Sequence, residues 1–157
     1  MATDDSAGSR LSDAQAIAVN PPDFAPPRDQ PLRIFLVEDS NSVRDRLTEL
    51  LNVPGEYEVV GHAENEAESV AELLRRPVVD VAIVDLNLRK GSGLGVIASV
   101  RARYPHSPPL IVVLTNYAFP EYEVASRARG ADFFFDKSTQ FGAVKALLAE
   151  MRARRLS

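Results

Sequence analysis

From Leu32 onward the chain alternates between two textures. Short, almost unbroken apolar runs of strand-forming residues give way to stretches in which apolar residues recur every three or four positions, the patterns of buried strands and amphipathic helices. LRIFLV (32–37) predicts a first strand. Ser40 or Asn41 then caps a helix that turns Val43, Leu47, Leu50 and Leu51 inward and stops at Pro54-Gly55. Tyr57 to Ala63 predicts a second strand, and Glu66 to Arg75 a second helix with Val70, Leu73 and Leu74 inward. After Pro77, Val79 to Val84 predicts a third strand, and a helix follows from about Gly93 to Tyr104. Pro105, Pro108 and Pro109 break the chain before a fourth strand, LIVVL (110–114). A helix starts near Pro120, a residue suited to a first turn, and Gly130 closes it. Asp132 to Phe135 predicts a fifth strand, and about Thr139 to Arg154 a last helix with Val144, Leu147, Leu148 and Met151 on one face.

Strands this continuously apolar are buried on both faces. Five of them alternating with five helices predict an α/β fold, a parallel sheet covered by helices on each side. In such a sheet ligands sit beyond the carboxyl ends of the strands. Glu38-Asp39 follows strand one, Asp85 strand three, Thr115 strand four, and Lys137 strand five. Each alone has an ordinary reading, as a turn cap, a solvated loop or a surface charge. Their convergence on one rim does not.

Three carboxylates brought together repel one another unless a cation joins them. Oxygen donors favour a hard ion, and Mg²⁺ typically takes one or two carboxylates, several waters and a phosphate oxygen. Lys137 and Thr115 supply the positive charge and the hydroxyl donor that a phosphoryl group requires. A carboxylate is also a competent nucleophile for making an acyl phosphate. Asp85, raised to the tip of a buried strand, is the candidate acceptor.

Composition narrows the setting. At 157 residues with 45% apolar side chains the chain suits one packed domain, and without cysteine it has no disulfide or thiol chemistry. A net charge of −4 argues against nucleic-acid binding. No apolar run is long enough for a membrane span, and the acidic start (Asp4, Asp5) is unlike a secretion signal, so the cytoplasm is the expected location. Residues 1–31 differ from the rest: they are polar and end in PPDFAPPRDQP, which predicts a disordered, Pro-rich extension ahead of a domain over 32–157. Within it, LSDAQAIAV carries Ser12 and Gln15 at capping-box spacing.

The rim residues and their order resemble the receiver domains of bacterial two-component response regulators, over residues 32 to about 155. The resemblance implies a flavodoxin-like sheet of order 2-1-3-4-5. It implies Mg²⁺ bound by Glu38, Asp39, Asp85 and the backbone carbonyl of Asn87, with Asp85 the phosphoacceptor. Ser92-Gly93-Leu94 matches the pattern beyond it, Thr115 and Lys137 match the hydroxyl and basic positions, and Phe134 matches an aromatic switch that works with Thr115. Four departures stand out. Arg89 replaces the usual Pro four residues past the acceptor, which implies a looser loop. Asn116 replaces a small residue, Ser138 replaces the Pro that gives a cis bond after the lysine, and the switch is Phe rather than Tyr.

Other features carry less. GSGLG (91–95) has Val96 where a dinucleotide loop needs its third glycine, His62 and His106 lack metal-ligand spacing, and Arg152, Arg154 and Arg155 suit a helix C-terminus. The expected function is a single-domain receiver, not an enzyme beyond self-phosphorylation from small donors and self-dephosphorylation. Its expected partners are a histidine kinase or phosphotransfer protein upstream and a protein target downstream. Alternatives are a receiver derived from a DNA-binding regulator, a degenerate receiver that only binds protein, or a phosphohydrolase with an aspartyl-phosphate intermediate. Enzymes of that last kind carry a second Asp where this chain has Asn87.

Overall fold

The computed structural model describes residues 30–75 and 78–156; the capping-box segment at 12–15 lies outside them. The elements run β1 (Leu32–Val37), α1 (Asn41–Leu51), β2 (Tyr57–Ala63), α2 (Glu66–Arg75), β3 (Val81–Val84), α3 (Gly93–Arg103), β4 (Leu110–Thr115), α4 (Pro120–Arg129), β5 (Phe133–Asp136) and α5 (Phe141–Leu156). The five strands form one sheet in the order β2-β1-β3-β4-β5, and every pairing is parallel. This is the flavodoxin-like receiver architecture.

Period-two alternation divides the core into two layers. Phe35 and Val37 of β1, Ala82 and Val84 of β3, and Ile111 and Val113 of β4 face Leu73 of α2 and Val96, Ile97 and Val100 of α3. Leu32, Ile34 and Leu36, Val81 and Ile83, and Val112 and Leu114 face the other way, onto Leu47 and Leu51 of α1 and Val144 and Leu148 of α5. A strand buried on both faces cannot tolerate a polar side chain in its body, so polar groups collect at its ends.

The helix ends follow local chemistry. Ser40 caps α1, its hydroxyl accepting from Val43 N. Pro120 opens α4, and Gly130 closes it at φ 114°, a left-handed conformation that costs glycine nothing. Leu74, expected inward, is 36% exposed. The buried stripe of α2 runs through Ser69 and Leu73, and one further residue rotates the side chain about 100° toward solvent. β3 begins at Val81 rather than Val79, although Val79 is still buried. β5 and α5 each start slightly later than predicted.

Candidate functional site

Glu38, Asp39, Asp85 and Thr115 stand at the carboxyl ends of β1, β3 and β4, with Lys137 one residue past β5. Parallel strands in this register bring those ends together: Val37 lies beside Val84, Val84 beside Val113, and Thr115 beside Asp136. Lys137 Nζ donates to Glu38 Oε1 at 2.6 Å and to Asp85 Oδ2 at 2.8 Å. All three side chains are largely buried, 14% exposed for the lysine, 4% for Glu38 and 10% for Asp85.

Each carboxylate divides its oxygens. The second oxygen of Glu38 accepts from Ser40 N at 3.1 Å, and that of Asp85 accepts from Asn87 N at 3.3 Å. One oxygen therefore anchors the side chain to its own loop while the other meets the shared ammonium. Burial works to lower the Lys137 pKa, but the hydrogen bonds and charges of Asp85 and Glu38 outweigh it and hold the ammonium above its ordinary value.

Asp39 is held separately. Its Oδ2 accepts from Arg89 N at 2.8 Å, Arg89 Nε lies 3.6 Å from the same oxygen, and Arg89 Nη2 donates to the Asp39 carbonyl at 2.9 Å. The loop that lacks its usual Pro is thus tied down by an arginine, contrary to the looser loop expected. The acidic trio is likewise divided between two cations. Among the described residues no group of three or more His, Cys, Asp or Glu is arranged to hold a metal ion. The carboxylate oxygens at this rim are hard donors of the kind that suits Mg²⁺.

Thr115 is fully buried, and its Oγ1 accepts from Tyr117 N at 3.1 Å. Asn116 beside it is exposed. Phe134, half-buried, lies opposite Val113 and against the α2–α3 face of the core. Phe133 and Phe135 point into the other layer and stack 6.2 Å apart. The turn after Lys137 forms without a proline: Asp136 Oδ1 accepts from both the N–H (2.8 Å) and the hydroxyl (2.6 Å) of Ser138. Those two bonds depress the Asp136 pKa.

Several supporting residues were missed by sequence reasoning. Arg44 is buried in α1 and donates to the Glu38 carbonyl at 2.9 Å and to Asn41 Oδ1. Its spacing from Leu47 and Leu51 places it on the apolar stripe, a signal that was available. Glu66, at the start of α2, accepts from Ser92 N at 2.9 Å and so braces the loop beyond Asp85. The glycines of GSGLG also find a structural role, since a Cβ on Gly93 would overlap the main-chain oxygen of Asp85. His62, by contrast, is exposed on β2, and His106 is exposed in the loop before β4.

Residues 34–149 match the family described as the response regulator receiver domain. The chain belongs to that family. Over 107 residues it is 35% identical to the DNA-binding transcriptional activator DevR/DosR of Mycobacterium tuberculosis, covering 68% of this chain and 48% of that protein. The receiver therefore spans about half the length of this curated relative. A CheY-like receiver domain protein from Methanospirillum hungatei superposes with a TM-score of 0.69 at 23% identity, over 80% of this chain and 97% of that one. A Burkholderia pseudomallei response regulator, solved with a phosphorylated aspartic acid, a calcium ion and citrate, superposes with a TM-score of 0.63 at 25% identity, over 78% and 71%. No helix among the described residues is long and apolar enough to cross a membrane.

Proposed function

We propose that this receiver accepts a phosphoryl group on Asp85 from a phosphohistidine of a kinase or phosphotransfer protein, in the cytoplasm. The observation that carries the reading is the contact of Asp85 Oδ2 with Lys137 Nζ at 2.8 Å, beside Glu38, on the ligand-binding rim of a receiver fold. The Burkholderia relative with its phosphorylated aspartate and calcium ion supports it. An Asp85 oxygen attacks phosphorus, the new P–O bond forms as the donor's N–P bond breaks, and the leaving imidazole nitrogen keeps the electron pair and takes up a proton. Lys137 would balance charge on the phosphoryl oxygens, and the Thr115 hydroxyl would donate to one of them. Asp39, Asp85 and the Asn87 carbonyl, with Glu38 acting through water, would hold Mg²⁺, which neutralises phosphoryl charge when bound.

The readout we infer is a protein contact. When Thr115 turns toward the phosphoryl group, the space it leaves is open to the Phe134 ring, which carries no hydroxyl to desolvate. Such a step biases an equilibrium between two existing states. Tyr117, Phe119, Tyr122 and Val124 lie exposed on the adjoining loop and α4, between 40% and 69%, and form the face that would change. Residues 1–31 are an extension that phosphorylation does not need, and the acidic receiver itself does not contact nucleic acid.

Intact-mass measurement after incubation with Mg²⁺ and a small phosphodonor tests the assignment. One added phosphoryl group is expected for the full chain and for a chain starting at Leu32, and none for Asp85→Asn. Full labelling of Asp85→Asn would overturn it.

A further inference from the structure

Arg89 is the feature that the proposed chemistry does not use. It stands four residues beyond Asp85, in the loop between β3 and α3, and reaches across to the end of β1. Three contacts converge on one residue there: main-chain N–H to Asp39 Oδ2 at 2.8 Å, guanidinium Nη2 to the Asp39 carbonyl at 2.9 Å, and Nε 3.6 Å from the carboxylate. The Asp39 side chain is 18% exposed and that of Arg89 77% exposed. The carboxylate is therefore sheltered and its cation is not.

These donors hold Asp39 Oδ2 and the Asp39 carbonyl, so a divalent ion that takes the carboxylate through Oδ2 competes with them directly. Mg²⁺ requires short, near-octahedral oxygen contacts, so it does not share a carboxylate oxygen with an N–H donor without changing that donor's position. The guanidinium adds a second penalty, since a fixed positive charge beside the carboxylate repels an arriving cation. Because the arginine is mostly in water, its hold is shallow: it competes with the metal without excluding it.

We propose that Arg89 is a latch on Asp39, an internal cation that competes with Mg²⁺ for the carboxylate, so that metal binding through Oδ2 releases the loop beyond the phosphoacceptor. The proposal rests on the reading of Asp39 as a metal ligand. Arg89 is a positioning residue here, acting through Asp39 and not on the phosphoryl group. Its two halves are separable by mutation. Arg89→Ala removes the guanidinium and keeps the main-chain donor, whereas Arg89→Pro removes both.

Calorimetric titration of the full chain with MgCl₂ at neutral pH reads the latch directly. Relative to the unmodified chain, Arg89→Ala should bind Mg²⁺ about threefold more tightly, within the roughly 1.4- to 5-fold range of an exposed ion pair. Arg89→Pro should gain more, on the order of tenfold, because a charge-assisted N–H bond is lost as well. The gain in Arg89→Ala should shrink as KCl is raised to half molar, where exposed charges are screened. By NMR, the Arg89 amide should be protected from exchange without Mg²⁺ and lose that protection with it. Equal affinities for the unmodified chain and Arg89→Ala, with binding still abolished in Asp39→Asn, would overturn the latch and leave the metal site standing. Mg²⁺ binding that Asp39→Asn does not change would overturn both.

Discussion

At the amino-terminal end of the sheet, carboxylates cap strands. Asp80 Oδ2 accepts from Arg33 N at 2.7 Å, and Asp132 Oδ2 accepts from Ile111 N at 2.8 Å and from Arg101 Nη2 at 2.9 Å. Arg101 also donates to the carbonyls of Gly130, Tyr104, Ser107 and Pro109. At the carboxyl-terminal end, Glu38 and Asp85 meet Lys137, and Asp39 meets Arg89. Both ends pair acids with cations, but the partners differ in kind. Below, the charges are tied mainly to main-chain N–H and carbonyl groups. Above, the acids face the tips of two long side chains, and under the proposed function a metal ion would compete with those cations for the acids while Lys137 turns to the phosphoryl oxygens. On that reading the lower end stays as built and the upper end exchanges partners.

Arg101→Ala attacks the lower end and should have the largest effect on stability. It removes the side-chain donor from four carbonyls and from Asp132, which keeps only Ile111 N, so urea unfolding should show a loss of about 2–4 kcal/mol. Phosphorylation of the folded fraction should be unchanged. A collapse of phosphate uptake in folded Arg101→Ala would erase the division between the two ends.

Lys137→Met attacks the upper end while keeping the packing of the stem. It takes the shared donor from Glu38 and Asp85, and a loss of about 1.5–3 kcal/mol is expected. Adding Mg²⁺ should return part of it, which it should not do for Arg101→Ala. Unfolding in urea with and without MgCl₂ makes the comparison, and equal recovery in both variants would contradict it.

The smallest effect lies at high pH. The Lys137 ammonium titrates above its ordinary value of about 10.5, so its contribution is complete below that value and is lost as pH rises through the raised one. The stability gap between the unmodified chain and Lys137→Met should hold up to about pH 10 and narrow only as pH rises through the raised value, above 10.5. A gap that closes below pH 10 would mean that the ammonium is not held as described.

Much of this was legible in the chain. The unbroken apolar runs LRIFLV, VAIV and LIVVL announced strands buried on both faces, and the polar residues just past them named Glu38, Asp39, Asp85, Thr115 and Lys137 as one rim. The spacing of Arg44 against Leu47 and Leu51 held a readable sign that was passed over. Leu74 was misplaced because a helical stripe has edges, and the apolar pattern alone does not say where the neighbouring element ends. Arg101 gave no sign at all, since its partners are main-chain carbonyls in two separate loops and a carboxylate 31 residues away.

The order of strands and helices, the burial of the sheet and the identity of the rim residues follow from the sequence by itself, because period and capping are local properties of a chain. Which acid receives which cation does not. Lys137 lies 99 residues from Glu38 and 52 from Asp85, and Arg89 lies 50 from Asp39. Those pairings depend on strand register, on the path of two loops and on the rotamers of long side chains. From the sequence, Arg89 was a missing proline and a looser loop. Only the folded rim, by setting the end of β1 against the loop after β3, turned it into the cation that holds Asp39.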